Sequence, residues 1–193
     1  VPPKNLAELG KLEKQLLVEN PATSSTGEEA LLWSIALYGK NWKNFWNILK
    51  PAIYTAEPGW SEAFAKFTAG EAPMMVGYAT SNLFFSQDEE QSRFSSFLLE
   101  DGTFMYLEGA SLVNKKETKE GAKKFMEYIL SEDFQNLVPK KNYMFPVIET
   151  SLTEEFKFVP VTEKTVKLSD EQVKDLVKNL DKYKSELIEI LKK

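Results

Sequence analysis

Neither histidine nor cysteine occurs among the 193 residues. The first absence removes the imidazole base of the usual hydrolytic triads, and the second removes thiolate nucleophiles, disulfides and ordinary zinc sites. An enzyme made of this chain would have to work with carboxylates, lysine, serine or tyrosine. Lack of cysteine fits an oxidising compartment, but it fits many cytosolic proteins too. Positive charge is also short: 24 Lys and Arg stand against 29 Asp and Glu, a net charge of −5, with a pI near 5.1. A basic surface tracking a duplex is not expected, so nucleic acid is a poor candidate partner. No apolar run approaches the roughly 18 residues of a membrane span. The chain opens Val1-Pro2-Pro3, without Met or a basic-then-apolar leader, as a processed or excised segment would.

What is present has an ordinary globular composition, 42% hydrophobic and 27% charged. The length allows one domain or one and a half, with a real core. Gln15 to Val18 reads as the first buried strand, stopped at Glu19-Asn20-Pro21 because proline cannot continue the ladder. Four hydroxyls follow, Thr23-Ser24-Ser25-Thr26, then Gly27 and an apolar-periodic run through Ala30, Leu31, Trp33, Leu37 and Tyr38. Ser25 with Glu28, or Thr26 with Glu29, can form a capping box. The segment is open to two readings. It is either a well-capped helix start, or a hydroxyl-rich loop between a strand end and a helix N-terminus that cradles an anion. It lacks the GxxxxGK[ST] pattern of a nucleotide-binding P-loop. Gly39 ends that helix, Asn41 to Leu49 forms another whose aromatics suit a core, and Ile53 to Thr55 reads as a second strand.

The stretch from Pro58 to Phe85 has the character of a binding edge. Pro58-Gly59 breaks the strand, Ala63, Phe64 and Phe67 recur at helical spacing until Gly70, and Met74 to Val76 is a short buried strand. Trp60 is thereby set at a helix start, and Tyr78, Ser81 and Phe84 at a strand's carboxyl end, where ligands of open α/β sheets gather. Gly59-Trp60-Ser61-Glu62-Ala63 is not a nucleophile elbow, since Ala63 stands where GxSxG needs glycine. Glu57, Glu62 and Glu71 are the carboxylates an enzymatic reading would use, though a solvated or capping role is their default.

Further on, Gln87 to Arg93 reads as a surface connection, and Phe94 to Leu99 and Thr103 to Val113 as two strands joined at Asp101-Gly102. Thr118 is expected to cap a helix with Ala122, Phe125, Met126, Ile129 and Leu130 on one stripe. Ser131 starts a helix from Glu132 to Val138, Pro139 ends it, and the loop to Pro146 carries Tyr143 and Phe145. Last comes a long helix, with Ser169 as N-cap, Gln172 at the capping-box position, and a stripe from Val173 through Leu176, Val177, Leu180, Tyr183 and Leu187 to Leu191.

Several of these segments, in the same order, resemble the thiamine-binding periplasmic proteins of ABC transporters. They are Asn20 to Gly27, Leu32-Trp33, Gly59 to Phe64, Gly70 to Ala72, Gly77 to Ser81, Ser131 to Pro139 and Asn142 to Val147. The resemblance implies an α/β fold of the type II periplasmic-binding-protein kind, a mixed sheet flanked by helices, with ligand held between two lobes. It further implies that residues 1–100 and 147–193 make lobe two, and that 101–146 is a return segment of a lobe one whose opening part this chain lacks. The orphaned faces would then need that missing segment or a second copy, for instance in a domain-swapped dimer.

By the same resemblance, the ligand contacts are Thr23, Ser24, Ser25, Thr26 and Gly27 for phosphate or hydroxyl groups, with Trp60, Tyr78 and Ser81 beside them. Phe84 falls where the family has a tyrosine, and Tyr143 where it has a tryptophan. Both keep a π-face for stacking, while Phe84 loses a phenol; Ala79 is a further departure. Thiamine is a cation with two aromatic rings, and its phosphate esters add an anion, which suits aromatic faces plus helix-end amides. No cofactor, metal or catalytic residue is implied. The function implied is that of an extracytoplasmic solute-binding component which hands thiamine or its phosphates to a permease. Half of such a cleft is expected to bind weakly. The alternatives are a receptor of the same fold for iron or another small ion, an enzyme built on carboxylates, and a structural module that dimerises.

Overall fold

Leu16, Leu17 and Val18 are all buried because their strand is the middle one of a parallel three-stranded sheet. Such strands are covered on both faces, so their sequence is a continuous apolar run without alternation. The computed structural model describes residues 1–85 and 94–192, so the connection expected over Gln87 to Arg93 lies outside the described residues. In chain order the elements are α1 (Leu6–Leu9), β1 (Leu16–Glu19), α2 (Ser25–Tyr38), α3 (Trp42–Leu49), β2 (Ile53–Glu57), α4 (Trp60–Thr68), β3 (Met74–Met75), β4 (Thr103–Phe104), α5 (Glu120–Tyr128), α6 (Glu132–Gln135), α7 (Val138–Asn142), β5 (Thr165–Val166) and α8 (Asp170–Lys192). They fall into two units. One comprises Val1–Gly77, Phe97–Tyr106 and Thr162–Lys193, and the other Tyr78–Ser96 and Leu107–Val161.

The first unit is built on the sheet β2-β1-β3. Helices α2 and α3 carry the chain from β1 to β2, and α4 carries it from β2 to β3, as parallel pairing requires. Alternation along β1 decides which residues face which layer. Leu16 and Val18 pack with α2, α3 and α8, whereas Leu17 packs with Ala63, Ala72, Phe67 and Met75 on the α4 side. Helix α2 presents Ala30, Leu31, Ser34 and Ile35 inward at three- and four-residue spacing. It ends at Gly39, whose φ of +53° is open to glycine at little cost. Trp42, Phe45, Trp46 and Leu49 are the buried side of α3, so the aromatics of this helix are core.

Helix α8 starts as its sequence suggests. The Ser169 hydroxyl accepts from the Gln172 amide at 3.2 Å, and the Gln172 side-chain oxygen accepts from the Ser169 amide at 2.8 Å. The remaining amide nitrogen of Gln172 donates to the Ile35 carbonyl at 2.8 Å, which fastens α8 to α2. Leu176 and Leu187 are buried, but Val177 is 81% exposed and does not belong to the packed stripe. Position 177 follows Leu176 by one residue, about 100° round the helix, and falls off the buried edge.

Four further expectations are corrected. Phe94 to Leu99 has no strand, and of Thr103 to Val113 only Thr103–Phe104 pairs, with β5 in parallel. Among the described residues the rest finds no partner ladder, and Leu107, Leu112 and Val113 are exposed. Helix α5 begins at Glu120 after Lys119, so Thr118 is not its cap. Pro139 lies in the first turn of α7, where its missing N–H costs nothing, and it does not end a helix. Within the second unit Leu83, Phe156 and Val159 form a small core. Gln135 is buried there, donating to the Ile129 carbonyl at 2.7 Å and accepting from the Val147 amide at 2.9 Å. Helix α5 buries no residue, and Phe125, Tyr128 and Leu130 beside it are exposed.

Ser34 gives the core its one inward hydroxyl among the α2 residues named above. It donates to the Leu31 carbonyl at 2.7 Å and accepts from the Trp46 indole N–H at 2.9 Å. Ser34→Ala would leave that N–H buried without an acceptor, so a loss of about 1–3 kcal/mol is expected in urea unfolding. A change below about 0.5 kcal/mol would contradict this packing.

Candidate functional site

At the carboxyl end of β1 the chain makes a tight loop and immediately enters α2. The Asn20 amide donates to the Glu57 carbonyl at 2.8 Å, continuing the sheet by one rung. The Asn20 carbonyl then accepts from the Thr23 and Ser24 amides at 3.2 and 3.0 Å, and its side-chain oxygen accepts from the Ala22 amide at 2.9 Å. Asparagine is the residue type that makes such a turn with its own side chain. Ser24 caps α2 by accepting from the Gly27 amide at 3.4 Å. The cap is therefore one residue ahead of the Ser25 box and two ahead of the Thr26 box, and neither expected box forms. A Cβ on Gly27 would stand 2.5 Å from the Glu19 carbonyl oxygen, so the first turn of α2 rests on the end of β1 at a distance only glycine permits.

Among the five residues of this loop singled out by sequence, Ser24, Thr26 and Gly27 are buried, while Thr23 and Ser25 are exposed. The Thr23 hydroxyl donates to the Pro58 carbonyl at 2.5 Å. That bond draws the β1–α2 loop to the β2–α4 turn, two residues from Trp60, which opens α4 and stacks on Phe64 with centroids 4.6 Å apart. Thr23 to Gly27 and Trp60 are thus brought to one end of the sheet. An amino end of a 14-residue helix beside hydroxyls favours a bound anion through the helix dipole and its first-turn N–H groups.

The other four candidates belong to the second unit. The Tyr78 amide donates to the Ser81 hydroxyl at 3.0 Å, closing the turn that opens this unit. Phe84 and Tyr143 lie together, centroids 4.6 Å apart and planes tilted by 43°. Phe84 is 46% exposed, whereas Tyr143 is half-buried and packs on the Leu83, Phe156 and Val159 cluster. Tyr143 has left-handed backbone, φ +51°, an uncommon conformation for a bulky residue and one that sets the direction of its ring. The pair presents an aromatic surface of the kind a flat organic cation stacks on.

The carboxylates divide in an unexpected way. Glu57 is buried and bonds Lys66 Nζ at 2.7 Å, while Glu62 and Glu71 are exposed. Among the described residues no three acids, histidines or cysteines gather as a metal site. Glu19, which the sequence reading passed over, is 2% exposed and neither of its oxygens has a hydrogen-bond partner. Burial pushes its carboxyl up to about 8, a smaller opposing pull from its own backbone notwithstanding, and the Glu57 charge adds to the rise. Glu29 is half-buried, with Oε1 unpartnered, and burial followed by the Glu28 charge pushes it up to about 7. A charged residue closing an apolar strand run was the available signal for Glu19.

Residues 1–136 match the family model for bacterial extracellular solute-binding proteins. The thiamine-binding periplasmic protein of Brucella abortus is 35% identical over 169 residues, 86% of this chain and 51% of that one. That of Salmonella typhimurium is 30% identical over 174 residues, 89% of this chain and 53% of that one. The chain spans about half the length of these curated relatives. Among solved structures a periplasmic thiamin binding protein superposes with a TM-score of 0.87 at 26% identity, over 99% of this chain and 60% of its own. A ferric binding protein from Campylobacter jejuni reaches 0.65 at 19% identity, over 97% of this chain and 62% of its own, and speaks for the fold alone. The fold is accordingly the mixed α/β, type II periplasmic-binding-protein arrangement.

Gly27→Ala tests the contact on which the loop rests. Its methyl group meets the backbone of Glu19 and Asn20, so α2 must shift, and a loss of roughly 1–3 kcal/mol in chemical denaturation is expected. A variant as stable as the parent would show that the helix start does not press on β1.

Proposed function

The chain belongs to the bacterial extracellular solute-binding protein family, and from that premise we propose that it binds thiamine or a thiamine phosphate outside the cytoplasmic membrane and delivers it to an ABC-transporter permease. The observation that carries the reading is the superposition at TM-score 0.87 over 99% of the chain on a periplasmic thiamin binding protein. The curated relatives, named as thiamine-binding periplasmic proteins, support the same ligand. The chemistry of the site agrees with it. Thr23 to Gly27 at the amino end of α2 suit a phosphate or hydroxyl group, with Trp60, Tyr78 and Ser81 as further contacts, and the Phe84–Tyr143 pair suits the aromatic cation.

In this proposal the protein does no chemistry on its ligand. Ligand selects a closed arrangement of lobes about a hinge. Exposed Phe125, Tyr128 and Leu130 are a face for further lobe-one chain or for a second copy of this one.

Calorimetric titration with thiamine and its mono- and diphosphate, beside a light-scattering mass, tests the proposal. The esters are expected to bind more tightly than the free vitamin. Phe84→Ala should weaken all three by about 2- to 30-fold, the value of a cation over an aromatic face. Absence of heat with any of the three, together with an unmoved melting temperature, would overturn the assignment of ligand.

A further inference from the structure

Glu19 and Glu57 are partners in register on the parallel strands β1 and β2, so their side chains leave the sheet on the same face. That face is the α4 side. Leu17, two residues before Glu19, packs on Ala63 of α4, and Glu57 is bonded to Lys66 of the same helix. Two buried carboxyls therefore stand on a face where Lys66 is committed to Glu57 at 2.7 Å. Among the described residues the other charged groups named here offer no compensation. Glu62 of α4 and Glu71, just ahead of β3, are exposed acids; in the first turn of α2 Glu28 is paired with Lys184, and Glu29 after it is another acid. Every one of these except Lys66 and Lys184 is negative.

Glu19 is also where the candidate loop is anchored. Its carbonyl is the atom Gly27 rests on, and the next residue, Asn20, both bonds Glu57 and folds the turn through Thr23 and Ser24. An uncompensated charge at this rung is strongly unfavourable and draws in water or displaces the Glu57–Lys66 pair. Either response disturbs the platform under Asn20 to Gly27.

We infer that Glu19 is a positioning residue for the ligand loop, holding Asn20 to Gly27 in its binding form as a neutral acid, so that ligand affinity falls when the rung gains a second negative charge. The inference rests on the proposed thiamine site for its affinity arm, but its structural arm does not. The sign follows from the direction of the shift: the group carries its proton below about 8 in the folded chain. The loop is thus intact at neutral and acidic pH and loosens as pH rises through that value.

Two measurements test it. In a ligand-free NMR titration from pH 6 to 9, the amides of Asn20 to Gly27 should move with a midpoint near 8, and this step should vanish in Glu19→Gln. A step near 7, from Glu29, should persist in both proteins and so is separable. Thiamine itself, which has no phosphate to titrate, should bind the parent about fourfold more weakly at pH 8.5 than at pH 6.5, and Glu19→Gln should flatten that profile. Loop amides that do not titrate near 8, or a step that survives Glu19→Gln, would overturn the inference whether or not thiamine binds. Absence of thiamine binding at pH 6.5 alongside a clear loop titration would instead overturn the ligand assignment, leaving the coupling of Glu19 to the loop in place.

Discussion

The amino end of α2 lies against the carbonyl of the last residue of β1, closer than any side chain would allow, and much of the first unit follows from that contact. With the helix start pinned there, Ala30, Leu31, Ser34 and Ile35 are aimed at α3 and α8. Ser24 becomes the cap because it is the hydroxyl three residues before the pinned glycine. The loop between is too short for alternatives, and Asn20 closes it with both its backbone and its side chain. A strand end, a hydroxyl-rich turn and a helix dipole are thereby superposed, which is the arrangement that binds anions without any dedicated basic side chain.

This economy matters for a chain with a net charge of −5. Anionic ligands would be repelled by the mean field of the protein, so an anion site has to be local. A helix terminus is a short-range source of positive potential, whereas the phenyl and phenol faces of Phe84 and Tyr143 attract a cation through their quadrupoles.

Elements governed by local chemistry were readable in the sequence. The Ser169 and Gln172 box, the Gly39 stop, the run Leu16 to Val18 and the spacing in α3 needed only caps, glycine geometry and periodicity. Where tertiary contacts choose among equal local options, the sequence was ambiguous. Four successive hydroxyls offered several caps, and only the approach of Gly27 to Glu19 selects Ser24. Phe94 to Leu99 and Thr103 to Val113, either side of the Asp101-Gly102 turn residues, read as strands, yet a strand needs an edge to pair with, and the short β5 accepts only Thr103–Phe104. The burial of Glu19 was hidden for the same reason, since it depends on α4 covering that end of the sheet. The candidate residues were named through family resemblance and binding-edge logic together; Thr23's bond to Pro58 and the Phe84–Tyr143 pairing emerged only in three dimensions.

Hydrogen–deuterium exchange of the whole chain, with and without thiamine monophosphate, reads the loop itself. The peptide carrying Asn20 to Glu29 is expected to slow on ligand addition, as a phosphate held at the amino end of α2 requires. Unchanged exchange over Asn20 to Glu29 under saturating ligand, with protection confined to other segments, would contradict it.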